Sequence, residues 1–362
     1  MAPCESGVAR GRHSVPPAAA RRQIMGDFWW QQGKRVQIDE VDVRPLARSE
    51  QAAISKALNP AIDESQLVEA TVARFKSYDG LEIPGILYKP RDASAQNKVP
   101  ALVFVHGGPG GQSRRGYSAM FQHLVNNGYA VYAINNRGSS GYGKTFYHLD
   151  DRKHGDVDLK DVVASKAFLG SMDWVDGDRI GIMGGSYGGY ATLAGLTFTP
   201  EVFACGVDIV GPSNLETLLS TIPPYWAPLV KIFHERMGDP NTEEGLALLR
   251  AASPLYKASE ITKPLLIAQG ANDPRVKQSE SDQIVGAMQA AGIPVTYVLY
   301  PDEGHGFARP ENNIAFYAIA ENFLATCLGG RAEPLGDALK PASAEIVEGA
   351  AHVQGLEDAL AG

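Results

Sequence analysis

Gly184-Gly185-Ser186-Tyr187-Gly188-Gly189-Tyr190 decides how this chain reads. It follows an apolar run, Arg179-Ile180-Gly181-Ile182-Met183, and opens a helix-like segment, Ala191-Thr192-Leu193-Ala194-Gly195-Leu196. The order is strand, sharp turn, helix, with a serine at the tip. Gly184 and Gly188 stand where a Cβ would clash. The turn presses Ser186 into a strained backbone that lifts its hydroxyl clear of the sheet edge. A helix starting at Tyr187 aims backbone N–H groups at the place where negative charge would develop. A Gly-rich packing turn is the bland alternative; the strand before and the helix after favour a nucleophile elbow.

A serine hydroxyl needs a base, the base needs an orienting carboxylate, and the oxyanion needs donors. In the α/β-hydrolase arrangement the chain order is Ser, acid, His. Pro264-Leu265-Leu266-Ile267-Ala268-Gln269 reads as a buried strand, and Gly270-Ala271-Asn272-Asp273-Pro274-Arg275 as the loop at its end. Asp273 therefore falls at the C-terminal edge of a strand, where such sheets keep their sites. Its rivals are Asp208, which reads as mid-strand, and Asp302 and Glu303, too close in sequence to the base. The next strand, Val295 to Tyr300, runs into Pro301-Asp302-Glu303-Gly304-His305-Gly306-Phe307. Of eight histidines, His305 has the right order and placement. The strand Ala101 to Val105 leads into His106-Gly107-Gly108-Pro109-Gly110-Gly111, where bare backbone can approach a substrate oxygen. The expected oxyanion donors are the N–H groups of Gly108 and Tyr187.

A competing motif must be weighed. Gly138-Ser139-Ser140-Gly141-Tyr142-Gly143-Lys144-Thr145 matches the phosphate-loop pattern in full and follows a strand-like run, Tyr129 to Ile134. Phosphate binding needs a helix starting at Lys144-Thr145. The sequence after it is polar and aperiodic, and the convincing helix starts nearer Asp156. The expected role is a rigid loop beside the serine, with nucleotide binding as the remote alternative.

Around these motifs the chain alternates strands and helices. Strand-like runs lie near 101–105, 129–134, 179–184, 203–210, 264–269 and 295–300, and helical patterns near 113–127, 156–169, 187–197, 277–291 and 313–326. Glu69 to Tyr78, Asp79-Gly80 and Leu81 to Tyr88 give a hairpin. The expectation is an α/β fold with a mainly parallel, eight-stranded sheet covered on both faces. A helix over 44–58 is expected to precede it. Gly211 to Thr262, an excursion of about fifty residues, reads as a cap or pocket wall. Within it Tyr225 and Trp226 are the candidates to line the acyl pocket. The domain spans 41–330. Residues 1–40 read as a basic, mobile tail, and 331–362 as an Ala/Gly/Glu-rich tail.

Taken together, these motifs resemble the catalytic domain of the prolyl oligopeptidase family of serine peptidases, in its acylaminoacyl-peptidase and dipeptidyl-peptidase-like branch. The matching pieces are His106-Gly107-Gly108-Pro109, Asn136-Arg137-Gly138-Ser139, Gly185-Ser186-Tyr187-Gly188-Gly189-Tyr190, Asn272-Asp273-Pro274-Arg275-Val276 and Asp302-Glu303-Gly304-His305-Gly306-Phe307. The resemblance runs from about Asn59 to about Gly330. It implies an α/β-hydrolase fold with Ser186, Asp273 and His305 as the triad, and Arg275 beside it contacting a substrate carbonyl or carboxylate. The family usually carries an N-terminal β-propeller that gates the site. Fewer than seventy residues precede the hydrolase segment here, too few for a propeller.

Composition narrows the rest. The chain has 362 residues and a net charge of −8, which favours neither nucleic acid nor an anionic membrane. No apolar stretch approaches the roughly 20 residues of a membrane span. Cys4, Cys205 and Cys327 are odd in number and widely spaced, so neither a disulfide framework nor a zinc pattern is expected, and Cys205 reads as a buried apolar filler. The first 26 residues carry four arginines but no apolar core of a secretory signal. A cytoplasmic serine peptidase acting on short peptides is expected, without cofactor or metal, with homo-oligomerisation left open. A broad carboxylesterase acting on small esters is the alternative.

Overall fold

The computed structural model describes residues 58, 59 and 61–361. The basic tail 1–40 and, apart from Leu58, the helix expected over 44–58 lie outside them. The description below concerns the compact unit that begins at Asp63.

Asp79-Gly80 turns the chain between β1 (Thr71–Lys76) and β2 (Glu82–Tyr88), with Gly80 at φ +84°. The two strands pair antiparallel from Thr71↔Leu87 to Lys76↔Glu82, as the hairpin pattern predicts. Then come β3 (Val99–Val105), β4 (Ala130–Ile134), β5 (Val175–Gly185), β6 (Gly206–Ile209), β7 (Leu265–Gly270), β8 (Thr296–Tyr300) and β9 (Glu345–Glu348). The sheet order is β1-β2-β4-β3-β5-β6-β7-β8-β9, parallel from β4 through β8. Helix α1 (Ala119–Asn126) joins β3 to β4; α2 (Lys144–Tyr147) and α3 (Val157–Gly170) join β4 to β5; α4 (Tyr187–Phe198) joins β5 to β6. The excursion contains α5 (Leu215–Ser220), α6 (Val230–Met237) and α7 (Glu243–Ala251), and α8 (Gln278–Ala290), α9 (Pro310–Leu328) and α10 (Leu356–Ala361) complete the set.

Strand β3, Val-Pro-Ala-Leu-Val-Phe-Val, is apolar throughout because both of its faces are covered. Its side chains alternate between two cores. Ala101, Val103 and Val105 pack in one core with Leu159, Leu193 and Ile284 of α3, α4 and α8. Leu102 packs in the other with Leu124 of α1 and Phe323 of α9. Local signals set the helix ends. Ser118 caps α1 by accepting the Phe121 N–H, Thr242 caps α7 by accepting the Gly245 N–H, and α9 starts on Pro310 and stops at left-handed Gly329.

Two expectations are corrected. Among the described residues the sheet has nine strands rather than eight, and the ninth comes from the segment read as a tail. Glu345-Ile346-Val347-Glu348 is too short to stand out by alternation, but it pairs antiparallel along the otherwise open edge of β8, with Val298 opposite Ile346. Leu335, Val353 and Leu356 of the same segment are buried in the second core. Two of the three cysteines are also paired: Cys205, just before β6, forms a disulfide with Cys327 in the last turn of α9, with their Cα atoms 6.3 Å apart. The 122-residue separation hid a contact that only the packing of α9 on the sheet creates.

Candidate active site

The parallel strands all end on one edge, and the sequence-predicted groups arrive there from four of them. Ser186 follows β5 at φ +58°, ψ −119°, a conformation that non-glycine residues rarely adopt. Its N–H donates to Ile209 O at 2.8 Å, which ties the turn to the neighbouring strand. The glycines around it are required by space. A Cβ on Gly188 would lie 1.9 Å from Val105 O, and one on Gly184 would lie 2.4 Å from the Gly188 backbone. The helix therefore starts hard against β3, and Ser186 has nowhere to go but outward.

Asp273 follows β7 and is buried; its Oδ1 accepts the N–H groups of Arg275 at 2.8 Å and Val276 at 3.0 Å. That leaves Oδ2, which lies 2.7 Å from His305 Nδ1. His305 follows β8, and its Nε2 lies 2.9 Å from Ser186 Oγ. A carboxylate at Nδ1 holds the proton there and leaves Nε2 free to accept one from the serine. The rival acids are engaged elsewhere. Glu303 accepts the Ala308 and Arg309 N–H groups, Asp302 pairs with Arg309 and Asn312, and Asp208 is buried between β6 and α4.

Gly108, Pro109, Ser186, Tyr187, Trp226, Phe233, Met237 and Arg275 line one narrow, mostly apolar cleft, together with Leu218, Leu219, Ile222 and Val276. The structure separates the two predicted cap aromatics. Trp226 lines the cleft, 5.6 Å from the Phe233 ring and 5.4 Å from the Arg275 guanidinium. Tyr225 does not line it, is 56% exposed, and its ring meets the Trp226 ring edge to face. Of these two neighbours in the 3₁₀ turn, Trp226 borders the cleft and Tyr225 does not.

The phosphate-loop pattern is differently used. A one-turn helix does start at Lys144, where the sequence suggested none before Asp156. The loop itself packs on protein: Gly138 abuts the Asp150 carboxylate and Gly141 the Gln112 amide. Ser139 Oγ donates to Asn136 O and lies 2.8 Å from His106 Nε2, bracing the run that holds Gly108.

Sequence reasoning missed a buried polar cluster beneath the elbow. The Tyr187 hydroxyl donates to Asp158 Oδ2 at 2.7 Å and also meets His154 Nδ1, while Asp150 pairs with Arg236 from α6. Burial pushes Asp158 up to about 6 and His154 down to about 3, so the imidazole is neutral; for Asp150 burial raises the carboxyl while the Arg236 cation beside it pulls the other way and favours the carboxylate. The available signal was Asp158 and Asp161 at core positions of an otherwise amphipathic helix; both are buried.

A family model described as the prolyl oligopeptidase family matches residues 115–331. The chain belongs to the prolyl oligopeptidase family. Among members of that family, dipeptidyl aminopeptidase BIII of Pseudoxanthomonas mexicana is 52% identical over 309 residues, covering 84% of this chain and 45% of that protein. Dipeptidyl peptidase family member 6 of Caenorhabditis elegans is 47% identical over 255 residues, 69% of this chain and 34% of that one. A solved acylaminoacyl peptidase in complex with Z-Gly-Gly-Phe-chloromethyl ketone superposes with a TM-score of 0.67 at 29% identity, covering 76% of this chain and 44% of that one. The chain thus spans less than half the length of these prolyl oligopeptidase relatives, and what it shares with them is the α/β-hydrolase domain. Among the described residues, no helix is long and apolar enough to cross a membrane, and no group of His, Cys, Asp and Glu is arranged to hold a metal ion.

Proposed function

We propose that the chain is a serine peptidase acting on short peptides through an acyl-enzyme. One observation carries the reading: the hydrogen-bonded line from Asp273 through His305 to Ser186 Oγ, at 2.7 and 2.9 Å. His305 takes the Ser186 proton as Oγ bonds to the substrate carbonyl carbon. The carbonyl oxygen becomes an oxyanion held by the Gly108 and Tyr187 N–H groups. Collapse breaks the C–N bond, and His305 passes its proton to the leaving amine. Water then adds under the same base and releases the acid and Ser186. Trp226, Phe233 and Met237 wall a pocket suited to an apolar acyl side chain, and Arg275 at its mouth takes a substrate carbonyl or carboxylate. The names of the relatives, dipeptidyl and acylaminoacyl peptidases, support amides as substrates.

The test is to present one acyl group as a chromogenic amide and as the matching ester, with free and N-acetylated amino-acid forms side by side and Ser186→Ala as control. Amide turnover that vanishes in the control is expected. Ester turnover alone would replace the peptidase with a carboxylesterase. The expected cytoplasmic location would keep thiols reduced. An intact Cys205–Cys327 disulfide in protein isolated under alkylating conditions would instead place the chain in an oxidising compartment. Sedimentation measures the open question of homo-oligomerisation.

A further inference from the structure

Arg236 occupies the point where the two sides of the proposed oxyanion site meet. It comes from the last turn of α6 and is 3% exposed. Its Nε donates to Asp151 Oδ1 at 2.8 Å, and its Nη2 donates to Asp150 Oδ1 at 2.6 Å and Tyr147 O at 3.2 Å. Its guanidinium lies 4.2 Å over the Tyr147 ring, and its carbonyl accepts the Arg152 N–H.

From there it reaches both donors. Toward Gly108, the Gly-rich loop lies directly on the Arg236–Tyr147 stack: a Cβ on Gly110 would be 2.5 Å from the Tyr147 ring and 2.8 Å from Arg236 Nη1. Toward Tyr187, Asp150 Oδ2 stands 3.5 Å from His154 Nδ1, and that nitrogen meets the Tyr187 hydroxyl, whose proton goes to Asp158. The same helix carries Phe233 and Met237 into the acyl cleft.

We propose that Arg236 is a positioning residue that fixes the Gly108 and Tyr187 N–H groups relative to Ser186 and ties both to the cap helix. The proposal rests on the serine-peptidase reading. Oxyanion donors work through placement, and small displacements forfeit much of their effect. A buried cation forked between two carboxylates fixes placement at a desolvation cost that apolar packing would avoid.

The test uses Arg236→Lys and the double variant Arg236→Met with Asp150→Asn, which leaves no lone buried charge at that pair. Melting temperature, KM and kcat on one chromogenic substrate, and Ki of a peptide boronic acid with the same acyl group would be measured. The tetrahedral boronate on Ser186 puts an oxygen where the oxyanion sits. The expectation is a kcat loss of about tenfold to a hundredfold with a comparable weakening of the boronate, and KM changed by less than about threefold. Arg236→Lys, which keeps the charge without the fork, should fall between wild type and the double variant. Folded variants with wild-type kcat and Ki would overturn the proposal, and so would a kcat loss without boronate weakening. Tyr187→Phe keeps the N–H and the ring but cuts the chain at its far end; unchanged kcat and Ki there would overturn the proposal even if neither Arg236 variant folds. A boronate Ki that Ser186→Ala leaves unmoved would instead sink the serine reading itself.

Discussion

The nucleophile turn and the cap excursion share one edge of the sheet, yet they are held by opposite means. At the turn, backbone touches backbone: Gly188 stands so close to Val105 O that a methyl group has no place, and Ser186 is left in a strained conformation. In the cap, side chains do the holding. Glu280 of α8 accepts the Ser213 and Asn214 N–H groups at its start, Arg236 pairs with Asp150 and Asp151 in its middle, and Trp226 rests on Phe233. A backbone-held site admits few solutions and keeps its chemistry fixed, whereas a side-chain-held wall can change shape by substitution. On this account reaction type lies in the first region and selectivity in the second.

The sharpest way to break that division is His305→Ala. It should lower kcat by about 10⁴-fold or more on every substrate while leaving the ranking of acyl groups intact. Residual activity near wild type would remove the base. Gly188→Ala should follow closely, because its Cβ meets backbone that cannot swing aside. A loss of several kcal/mol of stability, read by denaturant unfolding, is the expected outcome, and a fully active, equally stable variant would contradict the steric account.

A third effect sharpens the comparison from beneath the turn. Asp208 is fully buried against Gly189 and Gly211, and burial, only partly offset by the nearby Gly211 N–H, pushes it up to about 7. Its folded value is raised above the unfolded one, so the native state holds the proton more tightly. Its stabilising contribution is therefore present below about pH 4 and is lost as pH rises through about 7. Asp208→Asn, which never ionises, should raise stability by about 2–4 kcal/mol at pH 8 and by much less at pH 5. Equal gains at both values would contradict the ionisation argument.

The smallest effects lie in the cap. Trp226→Ala should change the preference between large and small apolar acyl groups by about tenfold and leave kcat on a small acyl group nearly unchanged. Tyr225→Ala, one residue away and facing solvent, should shift that preference by less than about twofold. If the two variants behaved alike, the separation of these aromatics would be wrong.

The same contrast explains what could be read in advance. Ser186, Asp273 and His305 each follow an apolar run and sit among turn residues, so strand ends and order were visible in local pattern. The parallel strands, the hairpin and the elbow were legible for that reason. The ninth strand was not, because four residues gain their meaning only from the bare edge of β8. Cys205 and Cys327 meet through helix packing that no spacing encodes, and adjacency in sequence does not say which of Tyr225 and Trp226 borders the cleft. Arg236, Asp150 and His154 were silent because the segment holding Asp150 and His154, the cap helix α6 and the elbow helix α4 come together only in the fold. Only Asp158, a carboxylate on the core face of α3, left a trace.

The central claim is that Ser186 is a nucleophile activated by His305 and Asp273. The most direct measurement is intact-protein mass analysis after brief exposure to a fluorophosphonate, followed by mapping of the modified peptide. The account predicts one adduct per chain, on the peptide holding Ser186, with labelling slowed in His305→Ala and abolished in Ser186→Ala. Absence of an adduct at Ser186 in folded protein, or amide turnover that survives Ser186→Ala, would contradict it.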